Sequence, residues 1–382
     1  MSAACTPGSF ASDGRISRAA LSWFAGAALI VLATACSSPD ETVEPAVDAP
    51  LAHLIDLSAV ERFWVIQDQL AVGERVDEQD WRALFDTAAY RWMASDTATQ
   101  ERIRERMELC FQPDRQPLEA ELAAAEGSDA IRWRHYMRMR DERAELEAYA
   151  RSLCASTVLE NALAIAQGYL PPGVVDPQAV TTPVHLVLFW PDAFIDDGAI
   201  YLDLIDARDR GERLELFLAH EFHHDYYALA RTLPALPDDD PAHWVLLALS
   251  KLHMEGLADR IDKGGFPLQD LPGGSPGYAA DYNRYYRAAP QTLARFDAAL
   301  AGLPAADDPL EAAREAWDLL HYRAHPEGLY MVDTVAAAQG ADVLLEDLGD
   351  PFAFLRRFQA VQPTFSASTL EYLDALEADL RR

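Results

Sequence analysis

The stretch Leu214-Glu-Leu-Phe-Leu-Ala-His-Glu-Phe-His-His224 decides how this chain is read. Leu214, Phe217, Leu218 and Phe222 recur at helical spacing, which predicts a helix with an apolar face from about Glu212 to Arg231. Helix residues four apart share a face, so His220 and His224 can aim their imidazoles at one point. Zinc accepts neutral imidazole nitrogen at about 2.0–2.1 Å, and two such donors one turn apart suit its tetrahedral preference. Glu221 lies about 100° further round the helix, beside a metal without needing to bind it. That is where a general base for an attacking water belongs. The competing reading is a solvated or core-satisfied histidine cluster, and the intact His-Glu-x-x-His pattern on an apolar helix weighs against it.

Two histidines leave a catalytic zinc short of a protein donor, since three is the usual number. Glu255, 31 residues beyond His224, is the best candidate. It sits on a strongly apolar predicted helix from about Ala242 to Ile261, and a helix antiparallel to the first can bring a carboxylate to the metal. From Trp244 that helix is otherwise apolar apart from Ser250, Lys251 and His253. Burying an unpaired carboxylate is costly, so Glu255 is expected to have a cation partner; a helix-surface acid is the plain alternative. Asp259, one turn later, is a candidate to accept the outer N–H of a ligating histidine, with an i,i+4 pair to Lys263 as its rival. His223 falls on a flank of the first helix, where it is expected to hydrogen-bond or be exposed. His253 precedes Glu255 by two residues and is expected to point elsewhere. A hydrolase also needs a donor for the developing oxyanion. Tyr226, Tyr227, His321, Tyr322 and Tyr330 are available, and His321-Tyr322, before Pro326, is the preferred pair.

These motifs together resemble the gluzincin group of metallopeptidases, in which a zinc helix carries His-Glu-x-x-His and a following helix supplies a glutamate. They are most similar to uncharacterised bacterial families described as zinc-dependent peptidases. In those families a His-Glu-Phe/Tyr-His-His motif precedes a later Glu-Gly-x-Ala-Asp, here His220 to His224 and Glu255 to Asp259. A C-terminal Gly-x-x-Met segment ending in glycine is similar to Gly328-Leu-Tyr-Met331 through Gly340. The resemblance covers about residues 180–360. It implies a zincin-like region with strand, zinc helix and glutamate helix in that order, one zinc per chain, and a peptide or protein substrate.

The rest of the chain is read from composition and punctuation. Its 382 residues carry a formal charge of −30, and Lys251 and Lys263 are its only lysines. Spread along the chain, that acidity disfavours nucleic acid and anionic membrane surfaces as partners. Arg15 and Arg18 precede an uncharged apolar stretch from Ala19 to Ala35, followed by Cys36. This reads as a secretory signal over residues 1–35, and its end resembles a bacterial lipobox, which implies lipidation of Cys36. A membrane anchored through that lipid, facing the periplasm, is the expected location; an uncleaved membrane-spanning anchor is the alternative. Residues 36–50 are polar, acidic and Pro-containing, a tether. Residues 57–72, 79–94, 99–110 and about 129–167 predict helices, stopped at Tyr169-Leu-Pro-Pro-Gly173. Strands are expected within Pro183–Trp190 and Ala199–Ile205 around the turn signal Asp196-Asp197-Gly198, and further helices are broken near Leu271–Pro276, Pro304 and Pro326. The expected fold is therefore helix-dominated α+β, with an N-terminal helical region over 51–175 and a catalytic region over 176–382. Cys110 and Cys154 either pair or remain two thiols. Three functions stay open: a zinc peptidase, a zinc hydrolase of a non-peptide amide or ester, and a non-catalytic zinc-binding lipoprotein.

Overall fold

The computed structural model describes residues 51–114, 127–171, 182–190, 193–196, 198–264 and 277–382, with a few positions between 115 and 126. The signal segment, Cys36, the tether and the break at Leu271–Pro276 lie outside the described residues. Helices dominate, and a four-stranded mixed sheet accompanies them. Among the described residues no helix is long and apolar enough to cross a membrane.

Helices α1 (Ser58–Ala71), α2 (Glu78–Phe85), α3 (Ala88–Met93), α4 (Thr97–Phe111), α5 (Gly127–Asp141), α6 (Arg143–Cys154) and α7 (Val158–Gln167) form the N-terminal part. Two expected helices are shorter than their hydrophobic patterns suggest. The segment 79–94 breaks before Ala88, because Thr87 turns extended and its hydroxyl caps the Tyr90 N–H. The pattern over 129–167 is divided among three helices, interrupted at Glu142 and again at 155–157. Periodicity alone does not reveal such breaks, because the apolar face continues across them. Cys110 and Cys154 are free thiols.

The sheet runs in the order β1 (Ile55–Asp56), β2 (Val184–Val187), β4 (Ala199–Asp203), β3 (Ala193–Asp196). β1 and β4 flank β2 in parallel, and β3 returns antiparallel on β4 across the Gly198 turn. β3 falls where the sequence suggests the approach to a turn, because its four residues pair on one side only. The N-terminal part is tied to this sheet directly. Tyr90 Oη donates to the Leu188 carbonyl at 2.7 Å, and the buried pair His135 Nε2 and Asp203 Oδ2 stands 2.8 Å apart. Asp203 also caps α8 (Leu204–Arg210), accepting from the Ile205 and Asp206 amides. One hydrophobic core runs from Val60 and Phe63 through Leu186 and Ile200 to Phe222, Leu252 and Phe358.

Beyond the sheet come α9 (Leu214–Ala230), α10 (Pro241–Asp262), α11 (Tyr278–Gly302), α12 (Pro309–Asp318), α13 (His325–Gln339), α14 (Val343–Glu346), α15 (Pro351–Val361) and α16 (Ala367–Leu380). Asp240 caps α10 through the Ala242 amide, with Pro241 in the first turn where no N–H is needed. α10 packs against both α9 and α13. The crossing with α13 is close because glycine faces glycine. A Cβ on Gly256 would lie 2.4 Å from the Gly328 carbonyl oxygen, and a Cβ on Gly328 would lie 2.4 Å from that of Leu252.

Candidate metal centre

α9 buries Phe217, Leu218 and Phe222 on its apolar positions, and the same turns carry His220, Glu221 and His224, all buried. The imidazoles of His220 and His224 lie edge to face, with ring centres 4.8 Å apart. From α10, Glu255 is brought to the same place, only 3% exposed. Its Oε2 is 3.3 Å from His224 Nε2 and 3.9 Å from His220 Nε2. The structure thus brings His220, His224 and Glu255 together.

Glu255 does have an organic cation partner, in Lys251 one turn earlier, whose Nζ is 2.7 Å from Oε1. Oε2 is different: it is buried and has no hydrogen-bond partner. An unbonded carboxylate oxygen away from water is expensive, and here it faces imidazole nitrogens. Burial alone would lift the Glu255 carboxyl, but the charges of His325, Lys251, His224 and His220 hold it well below the usual carboxylate range. Burial keeps His224 far below its ordinary value against the pull of Glu255, and so supplies the neutral imidazole that zinc requires. His220 is also pulled down by burial, yet the Asp262 carboxylate outweighs this and raises it to about 9.

Several neighbours differ from what the sequence suggests. The group at hydrogen-bond distance from His220 Nδ1 is Asp262 Oδ1, at 3.2 Å; Asp259 Oδ1 stands further off, at 3.6 Å. Asp259 instead meets His325 Nδ1 at 2.9 Å and Lys263 Nζ at 2.6 Å, and accepts from the Tyr282 hydroxyl. Its pairing with Lys263 is therefore real, and the histidine it supports is another one. His325 is the residue that sequence reasoning missed. Its Nε2 is 3.3 Å from Glu255 Oε2, and its ring lies nearly parallel to that of His220. The signal for it was faint, a His-Pro at a helix start 70 residues from Glu255.

His321 and Tyr322 are engaged elsewhere. His321 Nδ1 is 2.6 Å from the buried Glu327 and its ring stacks on Tyr285, while Tyr322 packs on Tyr278 and Tyr285. Glu327 also accepts from the His321 amide. This carboxylate fastens a turn in which Tyr322, Arg323 and Ala324 have φ of 46°, 57° and 77°. Such left-handed backbone costs non-glycine residues roughly 1–2 kcal/mol each. His223 is fully buried with neither ring nitrogen hydrogen-bonded, which corrects the expectation of exposure or a partner; helix packing closes over that flank. His253 points away from Glu255, stacking on Phe354 and meeting the Tyr227 hydroxyl.

A metal fits here, because one donor atom each of His220, Glu255 and His325 lie within 4.8 Å of one another, and a cation beside Oε2 would satisfy a buried carboxylate oxygen left unbonded. A second cluster, His220 with Asp259 and Asp262, also has spacing suited to a metal. There Lys263 already lies against both carboxylates, within 3.0 Å, so the need for a further cation is weaker.

Helix-dominated α+β architecture with His-Glu-x-x-His on one helix and a glutamate on the next defines a zincin-like protein. A family model described as "Putative zinc dependent peptidase (DUF5700)" matches residues 81–363, and the chain belongs to this family. The match begins about 100 residues before the motif-based resemblance, so it takes in α2 to α7. No curated protein and no solved structure matches the chain.

Proposed function

We propose that this protein is an exported, lipid-anchored zinc-dependent peptidase, with His220, His224 and Glu255 as metal ligands and Glu221 as general base. The observation that carries the reading is the convergence of His220 and His224 on the unbonded oxygen of Glu255, with Glu221 beside them on the same helix. When bound, zinc supplies Lewis-acid polarisation of a scissile carbonyl and acidifies water. Asp262 holds His220 through Nδ1, which leaves Nε2 its lone pair. Lys251 holds Glu255 through Oε1 and so presents Oε2. Glu221 takes the proton of the attacking water and passes it to the leaving amine. Cys36 carries the lipid and residues 37–50 give the domain its reach from the membrane.

Metal analysis of the purified 37–382 fragment, joined to a peptide-library digest, tests this. One zinc per chain and chelator-sensitive peptide cleavage are expected. Cleavage of amide or ester libraries but not peptides would move the chemistry to a non-peptide substrate. His224→Ala should lose its zinc, and metal content equal to wild type would remove His224 from the ligand set. Chelation should also lower the melting temperature, since a ligand present at 1,000 times its Kd stabilises by about 4 kcal/mol. An unchanged melting curve in excess chelator would speak against a tightly bound ion.

A further inference from the structure

We propose that His325 is a fourth protein ligand of the metal, so that the resting centre is a closed set of three imidazoles and one carboxylate. The inference rests on the zinc reading above and extends it by one residue.

The first observation is distance. Four donors about 2.0–2.1 Å from a tetrahedral zinc stand roughly 3.4 Å from one another. Glu255 Oε2 is 3.3 Å from His224 Nε2, 3.3 Å from His325 Nε2 and 3.9 Å from His220 Nε2. Those separations all run from one oxygen; one donor atom each of His220, Glu255 and His325 already lie within 4.8 Å of one another, and the four-donor set closes when the metal draws His224 in to join them. His325 lies as near that oxygen as His224 does and nearer than His220. The contact with Glu255 is not a hydrogen bond, because Oε2 has none; two groups held this close without bonding each other suit a shared ion between them.

The second observation is orientation. His325 is held as His220 is, with a carboxylate at Nδ1: Asp259 at 2.9 Å for the one, Asp262 at 3.2 Å for the other. An acceptor at Nδ1 places the ring proton there and leaves Nε2 as the donor to a metal. Both Nε2 atoms are turned towards Glu255, and the two rings are stacked 5.8 Å apart.

The third is backbone. Left-handed turns of non-glycine residues persist where the surrounding structure over-determines them, and they gather at functional sites. Tyr322 to Ala324 form such a turn immediately before His325, tied down by Glu327. The Gly256–Gly328 crossing then lets the start of α13 approach α10 closely enough for the ring to reach Glu255. With four protein donors the seat that water needs is filled, so hydrolysis at this centre requires His325 to withdraw or the metal to take a fifth ligand.

The test compares the 37–382 fragment with its His325→Ala variant, both loaded with Co²⁺ in place of zinc. Wild type should show the visible spectrum of a four-coordinate site with little relaxation of solvent water protons. The variant should bind Co²⁺ at least tenfold more weakly, with an altered spectrum and faster water relaxation as solvent enters. Identical affinity and spectrum in the two proteins would overturn the proposal while leaving the zinc reading intact. Failure of wild type to bind Co²⁺ or Zn²⁺ at all would sink the zinc reading itself. Should the variant not fold, X-ray absorption at the zinc edge of the wild-type protein decides the matter: three imidazoles support the fourth ligand, and two overturn it.

Discussion

Glu221→Gln is expected to hold as much zinc as the wild-type protein and to cleave a peptide substrate about 10³-fold more slowly, the scale on which a positioned general base contributes. The substitution keeps the shape of a side chain that is buried beside the proposed ligands, so helix α9 and the imidazoles should stay where they are. What it removes is basicity. A carboxamide cannot accept a proton from water at neutral pH, and the other carboxylates described at the centre are already engaged. Glu255 has Lys251 on one oxygen and the imidazoles about the other, and Asp259 and Asp262 lie against Lys263. The loss should appear in kcat and in kcat/KM alike, because the proton transfer belongs to the transition state. Measuring zinc per chain and steady-state rates on the same preparation makes the result specific. A variant that retains ordinary turnover would take the base role away from Glu221, and one that loses zinc would show that the residue supports the metal instead.

The second large effect concerns packing. Gly328→Ala should destabilise the fold by about 1–3 kcal/mol, the range for overpacking a tight contact. The added Cβ would stand 2.4 Å from the Leu252 carbonyl oxygen and 2.9 Å from the Gly256 nitrogen. These are backbone atoms of α10, which cannot rotate away, so the two helices must separate. Alanine favours a helix by up to about 1 kcal/mol over glycine, which offsets only part of that cost. Gly302→Ala is the control, since nothing lies within 4 Å of a Cβ there and its backbone is ordinary. With roughly 2–4 °C per kcal/mol, the melting temperature of Gly328→Ala should fall by several degrees while that of Gly302→Ala holds or rises. Equal melting temperatures would mean that the two helices cross with room for a methyl group. Separation should also carry the start of α13, and His325 with it, away from Glu255, so zinc affinity is expected to drop in the same variant.

The amino-acid sequence by itself determined what depends on local spacing. A helix places residues i and i+4 on one face whatever surrounds it, so His220, His224 and the flanking position of Glu221 were legible from the string. Glu255 was legible for a different reason: a lone carboxylate in an apolar helix asks for a partner. The dominance of helix and the strands near 184–187 and 199–203 followed from periodicity and from proline and glycine punctuation. The short edge strands β1 and β3 did not: β1 has only two residues, and β3 runs straight into the turn signal at Asp196 without the proline-bounded apolar run that marks β2.

Tertiary structure alone decided which further groups stand beside His220, His224 and Glu255. Asp262 rather than Asp259 meets His220, because the relative rotation of α9 and α10 chooses among carboxylates one turn apart. His325 arrives from a helix whose start is set by a left-handed turn and whose approach is set by two facing glycines. In the sequence those glycines belong to separate motifs, 72 residues apart. The physical reason is that contact between distant segments depends on how closely two backbones pass, and that closeness is a property of the pair, written in neither segment alone.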